Sequence, residues 1–413
     1  MSELPAGMPT AAELDASDPL AGLRARFAEP AGGLTAYLDG NSLGRPLAET
    51  PSRLREFIEG PWGERLIRRW DEAWMDEPFQ LGDRLGEVVL GAAAGQTVVA
   101  DSTSVLLYKL LRAGMDARPG RDELVVDEDN FPTDRYLAEA VAKECGARLR
   151  WLSAPHDGGV TPEQVSEMVG ERTALVLLSQ VAYRSGFIAD APAITALVHR
   201  AGGLVLWDLS HSVGSVPLAL DDWNVDLAVG CTYKYLNGGP GSPAFAYVRR
   251  DLQAELRQPM PGWMGAAAPF DMTEPYRPAD GMRRFLTGTP PILAMQPVWH
   301  MLEVIAEAGM PAVRAKSELL TARAVALFDG WLAPMGAVLA SPRDPGVRGS
   351  HITVDHPAFE QVTAMVWERD VIPDFRPPDG IRIGLSPLST SFAELDAGMA
   401  AVRGALAEVD RPS

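Results

Sequence analysis

Apolar and polar positions along this 413-residue chain fall into blocks whose period changes along its length. From about residue 85 to 250, short apolar runs bounded by turn residues predict strands at 123–127, 148–152, 174–179, 204–208, 226–230 and 244–248. Stretches of helical length and spacing lie between several of them, at 132–145, 162–169 and 191–201. That alternation predicts βαβ units and an α/β fold whose mostly parallel sheet is covered on both faces. After Pro291 the pattern changes to long helices at 292–308 and 312–328, short strands at 350–355 and 381–385, and a terminal helix at 392–409. A smaller C-terminal α+β domain is expected there. The first thirty-five residues, rich in Ala, Pro and acidic side chains, predict a short helix and an arm. The expected division is an arm over 1–50, a large domain over 51–294 and a small domain over 295–413.

With 46% hydrophobic and 22% charged residues, the chain has ample material for a core and the balance of a soluble protein. No apolar stretch is long enough to span a bilayer. The N-terminal Met-Ser-Glu-Leu-Pro-Ala-Gly-Met has neither a basic nor an apolar signal region, so no secretion signal is expected. Cys145 and Cys231 fall in a predicted helix and at a predicted strand end, which suits a reducing cytoplasm rather than a disulfide framework. A net charge of −18 argues against nucleic acid or an anionic membrane as partner. It leaves open a locally cationic pocket.

The chain has four lysines, Lys109, Lys143, Lys234 and Lys316. Lys234 stands in Gly230-Cys-Thr-Tyr-Lys-Tyr-Leu-Asn-Gly-Gly-Pro-Gly241, after an apolar run and before a glycine cluster. Asp208, 26 residues earlier, closes the run Gly203-Leu-Val-Leu-Trp-Asp208. A strand-end aspartate and a downstream lysine in a tight turn are what a pyridoxal-phosphate (PLP) enzyme needs. The amine condenses with the cofactor aldehyde, and the carboxylate holds the pyridine nitrogen protonated. Arginine, always charged, could not take that lysine's place.

Other residues are more ambiguous. Asp101-Ser-Thr-Ser104 opens an apolar helical run and suits either a phosphate seat or a plain N-cap. Asn130-Phe-Pro-Thr-Asp134 could place a ring and a carboxylate against the cofactor, or simply open a helix at Pro132. Tyr233 fits phosphate binding, proton transfer or core packing. Asp208-Leu-Ser-His211 is too compact for a hydrolase triad, whose members come from separate elements. Arg382, among apolar residues of Gly380-Ile-Arg-Ile-Gly384, needs an anion: an amino-acid carboxylate or an internal ion pair. His351 and His356, five apart, would sit on opposite faces of a strand, and no metal site is expected.

These residues together resemble the kynureninase family, among the aspartate-aminotransferase-like (fold type I) PLP enzymes. The resemblance runs from Tyr37-Leu-Asp-Gly-Asn-Ser-Leu-Gly44 to Phe392, and is densest at 66–70, 130–134, 207–211, 230–241, 262–265, 287–289 and 382–387. It implies PLP-dependent hydrolysis of L-kynurenine to anthranilate and L-alanine, in tryptophan breakdown or NAD synthesis. It also implies a homodimer with shared active sites. Carried over by position, Lys234 holds PLP and shuttles the α-proton, and Asp208 pairs with the ring nitrogen. Ser102, Thr103, Tyr233 and Trp263 are then phosphate-side contacts, and Phe131 stacks on the ring. Asp134, Ser179 and His211 belong to the cofactor pocket. Arg382 takes the substrate carboxylate, and Ser42, Trp70, Gly288 and Thr289 shape the aryl pocket. Trp263 and Thr289 reach across from the partner. Where the family often has a histidine after Gly-Trp-Phe-Gly, this chain has Ala266.

Breaking kynurenine's Cβ–Cγ bond requires water at the γ-carbonyl, an electron sink, a mobile base and an acid near that carbonyl. Tyr233 is the acid expected. The competing enzyme reading is another reaction on the same scaffold, an aminotransferase, lyase or desulfurase. A desulfurase also needs a mobile cysteine, which neither Cys145 nor Cys231 is placed to be. A non-enzymatic domain would not be expected to keep both Lys234 and Arg382.

Overall fold

A computed structural model describes residues 8–272 and 275–409; the first seven residues, read above for a secretion signal, lie outside them. The large sheet has strands β1 (Thr97–Ala100), β2 (Glu123–Asp127), β3 (Arg148–Leu152), β4 (Thr173–Ser179), β5 (Leu204–Asp208), β6 (Leu227–Gly230) and β7 (Ala244–Val248). Their spatial order is β1-β7-β6-β5-β4-β2-β3. β7 pairs antiparallel with both β1 and β6, and the other pairs are parallel. The sheet is thus mostly parallel, as expected.

Alternation along each strand feeds two cores. Leu204 and Leu206 join Leu106, Leu107 and Leu110 of helix α1 (Thr103–Asp116) on one face. Val205 and Trp207 join residues such as Ile194 and Val198 on the other. Burial on both faces explains why the inner strands β2, β4, β5 and β6 are almost wholly apolar. β1, with only four residues, escapes a reading from apolar runs, and its pairing with β7 is what defines it. Asp226 drops out of β6 because its carboxylate, fully buried, accepts from Val205 N and pairs with His199. Helix α2 (Pro132–Cys145) starts where Pro132 supplies a fixed φ and stops at Gly146, which takes the left-handed cap.

The C-terminal unit has a four-stranded antiparallel sheet, from β8 (Val338–Leu339), β9 (His351–Asp355), β10 (Asp374–Arg376) and β11 (Gly380–Gly384), ordered β10-β11-β9-β8. Its core begins at Leu320 and includes Phe359, Phe392 and Leu406. Ala36 and Leu38 of the arm are buried in that core, and Ala36–Tyr37 pairs with Val371–Ile372. The helix Ile292–Ala308 instead buries Met295, Met301 and Ile305 in the core beside the large sheet. Among the described residues no helix is long and apolar enough to cross a membrane.

Candidate active site

The carboxyl ends of five strands converge, the usual ligand end of such a sheet. β1 leads into Asp101-Ser102-Thr103 and β2 into Asn130 and Phe131. β4 ends at Ser179, β5 at Asp208, and β6 feeds the turn with Tyr233 and Lys234. One pocket is lined by Thr103, Phe131, Asp134, Ser179, Asp208, His211, Tyr233 and Lys234, together with Ser104, Thr133, Tyr183 and Ser210.

The lysine turn is closed from within and braced by the arm. Gly238 N donates to Thr232 O at 2.9 Å and Asn237 N to Lys234 O at 3.0 Å. Gly44 N donates to Tyr233 O at 2.8 Å, and a Cβ at Gly44 would sit 2.4 Å from Lys234 O. The last glycine of the Tyr37–Gly44 motif is therefore required by close packing on the lysine.

Lys234 Nζ lies 2.9 Å from His211 Nε2 and about equally far from two rings, 6.0 Å from Phe131 and 5.9 Å from Tyr233. Burial, then the Lys234 charge, holds His211 well below the usual histidine range, so its neutral ring can accept from the lysine. Asp134 is fully buried, and burial followed by the neighbouring Asp208 charge raises its carboxyl well above the usual range. Beside Asp208, the buried Asp134 carboxyl is thereby held toward its protonated form. Burial likewise raises Tyr233, keeping its phenol protonated. Ser179 Oγ donates to Asn130 Oδ1 at 2.7 Å, and Tyr183 meets Phe131 edge-on at 5.5 Å.

Among the described residues, Asp134 Oδ2, His211 Nδ1 and Asn130 Nδ2 of this cluster are buried polar atoms with no hydrogen-bond partner. Buried groups of this kind are normally satisfied. A polar planar group held by Lys234, between the Asp134–Asp208 pair and Phe131, fits them. Ser102 does not line the pocket: its Oγ caps α1 by accepting from Val105 N at 3.4 Å, while Thr103 and Ser104 line the pocket.

Arg382 is almost fully buried. Its Nε donates to Asp374 Oδ2 at 2.7 Å, Nη1 to Tyr183 O at 2.8 Å and Nη2 to Ser42 Oγ at 2.9 Å. The internal ion pair therefore exists, and Ser42 is brought to the same guanidinium. The structure does not bring Trp70, Trp263, Gly288 or Thr289 of the same chain to the pocket around Lys234. Trp70 packs edge-on against Trp74, while Trp263, Gly288 and Thr289 are exposed.

Asp374 and Tyr183 were not evident from the sequence. Tyr183 follows a parallel strand's carboxyl end, which is a positional signal. Asp374 becomes legible only through the register that sets it opposite Arg382.

The family described as Aminotransferase class-V matches residues 90–340, and the Kynureninase C-terminal domain matches 313–402. A kynureninase of Burkholderia pseudomallei (strain 1106a) is 42% identical over 92% of this chain and 91% of its own length. One from Pseudomonas fluorescens is 41% identical over the same shares. Among solved structures, an apo cysteine desulfurase from Thermococcus onnurineus NA1 superimposes with a TM-score of 0.80 at 14% identity, covering 98% of this chain and 100% of that one. A cysteine desulfurase from Escherichia coli gives 0.77 at 17%, covering 94% and 98%. These two share the fold of a PLP enzyme of type I. With 42% identity along nearly its whole length and a matching C-terminal domain, the chain belongs to the kynureninase family.

Proposed function

We infer that this protein is a PLP-dependent hydrolase that converts L-kynurenine and water to anthranilate and L-alanine. The observation that carries the reading is Lys234, beside a neutral His211 and facing a carboxyl pair, in a chain 42% identical to a kynureninase. PLP, when bound, supplies the electron sink for breaking the Cβ–Cγ bond.

Lys234 would hold the cofactor and then move the proton at the substrate's α-carbon, with His211 Nε2 beside its amine. Asp208 would supply the counter-charge for the ring nitrogen. Asp134, held toward its protonated form, would add no second negative charge beside that nitrogen. Tyr233 Oη, kept protonated by burial, delivers a proton near the γ-carbonyl that water attacks. Thr103 and Ser104, at the start of α1, seat the phosphate. Arg382 and Ser42 receive the α-carboxylate, which must share the guanidinium with Asp374.

We also propose a homodimer. The support is an apolar groove beside the lysine turn, lined by Pro46, Leu54, Pro240, Ile292 and Leu293, together with the exposure of Trp263 and Thr289. The partner's Trp263 and Thr289 would then complete each site. The division of cores supports a large unit and a small unit, with the core changing within the helix Met310–Leu327 rather than at residue 295, and the arm packs into both, Phe27 and Leu47 in the first and Ala36 and Leu38 in the second.

Incubating PLP-loaded protein with L-kynurenine tests the function, with the fluorescence of anthranilate as readout. Failure to form anthranilate would end this reading. The desulfurase alternative has the fold alone in its favour: neither Cys145 nor Cys231 lines the pocket.

A further inference from the structure

Lys109 is a fully buried lysine on α1 that plays no part in the chemistry above. Its Nζ donates to Asp101 Oδ2 at 2.6 Å and to Phe285 O at 2.9 Å. Asp101 is left-handed at φ 48, a strained conformation for a residue other than glycine. It is the residue at which β1 ends and the chain turns into Ser102 and Thr103. Phe285 closes the 3₁₀ turn Gly281–Phe285 and leads into Leu286, Thr287, Gly288 and Thr289. That segment is fastened to the one carrying Trp263, because Met264 N donates to Thr287 O at 3.3 Å and a Cβ at Gly262 would lie 2.1 Å from the same carbonyl.

A buried ammonium is tolerated only when paired, so its placement demands a reason. Two of its donors are spent on two segments far apart in sequence. One is the turn before Thr103; the other precedes Gly288 and Thr289. We propose that Lys109 is a positioning residue. Through Asp101 it holds the strained turn that aims Thr103 and the start of α1 at the cofactor phosphate, and through Phe285 it couples that seat to the Thr287–Thr289 segment. The inference rests on the reading that α1 seats the phosphate.

The test compares PLP with pyridoxal, which lacks the phosphate, as ligands of apoprotein. Dissociation constants come from absorbance titration. Lys109→Met, neutral and of similar length, should weaken PLP about tenfold while pyridoxal binding stays unchanged. A parallel loss for both ligands, or no change for either, overturns the proposal. Thr103→Val is the control on the seat. If it weakens PLP selectively while Lys109→Met does not, the seat stands and the role of Lys109 fails. If neither discriminates, the seat reading fails too.

Should Lys109→Met not fold, Asp101→Gly/Lys109→Met removes both charges and gives the left-handed position to a residue that adopts it freely. The double variant should show the same PLP-selective loss. Its failure to fold would make the pair structural and overturn the proposal.

Discussion

Arg382 Nε donates to Asp374 Oδ2 at 2.7 Å, across a register pair that sets the two residues opposite each other in neighbouring strands of the small sheet. The ion pair and the carboxylate site are therefore not exclusive alternatives. Asp374 holds the guanidinium in place, and Ser42 and the Tyr183 carbonyl complete its first contacts.

Arg382→Ala is expected to raise KM for kynurenine by about 10–100-fold with a smaller change in kcat. The motivation is a buried guanidinium that reaches Ser42 of the arm. Steady-state kinetics and thermal unfolding should be measured on the same preparation. A lowered Tm with KM unchanged would leave Arg382 a purely structural cation.

Asp39, near this cluster, gives a pH prediction. Burial, then Asp374, pushes its carboxyl up to about 6, against the opposing Ser42 hydrogen bond and the Arg382 and Arg376 charges. A folded-state value above the unfolded one favours the protonated form. Its stabilisation is full below the unfolded value near 4 and is lost as pH rises through about 6. Asp39→Asn cannot ionise, so its Tm should gain on the wild type as pH rises from about 4 to about 6 and hold that gain above, by the equivalent of about 1–2 kcal/mol once solvent screening is allowed for. Parallel Tm curves for the two proteins would refute this.

Lys234→Ala should abolish turnover and the visible absorbance of the lysine-bound cofactor. Lys109 and Lys316 cannot substitute, since each is buried in an ion pair at 2.6 Å, with Asp101 and Asp18. Borohydride reduction and peptide mapping locate the cofactor. A pyridoxyl adduct on any other lysine contradicts the assignment.

Asp208→Asn should cost roughly 10²–10³-fold in kcat or more, because the ring nitrogen loses its counter-charge. Asp134→Asn should be much milder, about tenfold, since a carboxyl already held protonated resembles the amide in charge and shape. The order of the two effects is the check. If Asp134→Asn is the more damaging, the proton has been assigned to the wrong carboxyl.

Kynurenine should be preferred over 3-hydroxykynurenine. In the aryl pocket that the family resemblance implies, Trp70 would offer an apolar wall and Gly288, with open space where a side chain would stand, would offer no partner to an added hydroxyl. An unpaired hydroxyl costs about 1–3 kcal/mol, or roughly 10–100-fold in kcat/KM. The Thr289 hydroxyl could offset this, and Thr289→Val should widen the difference if it does. Equal kcat/KM values for the two substrates in the wild type would refute the apolar-pocket reading.

Local pattern determined much of this protein. The strands Glu123–Asp127 and Leu204–Asp208 and the helix Pro132–Cys145 are legible because burial on both faces demands continuous apolar runs, and because Pro132 and Gly146 mark helix ends by backbone sterics. Lys234 and Asp208 stand out for the same reason: each sits where an apolar run meets turn residues, and such strand ends are where a parallel sheet binds its ligand. Tertiary structure alone decided the partnerships. Lys109 meets a carbonyl 176 residues away, Asp134 on α2 is set beside Asp208 at the end of β5, and Arg382 finds Asp374 only through antiparallel register. It also left Trp263 and Thr289 outside their own chain's pocket. Propensity and periodicity act over a few residues, whereas these contacts depend on how strands are ordered and paired, and on the burial that then shifts each charge.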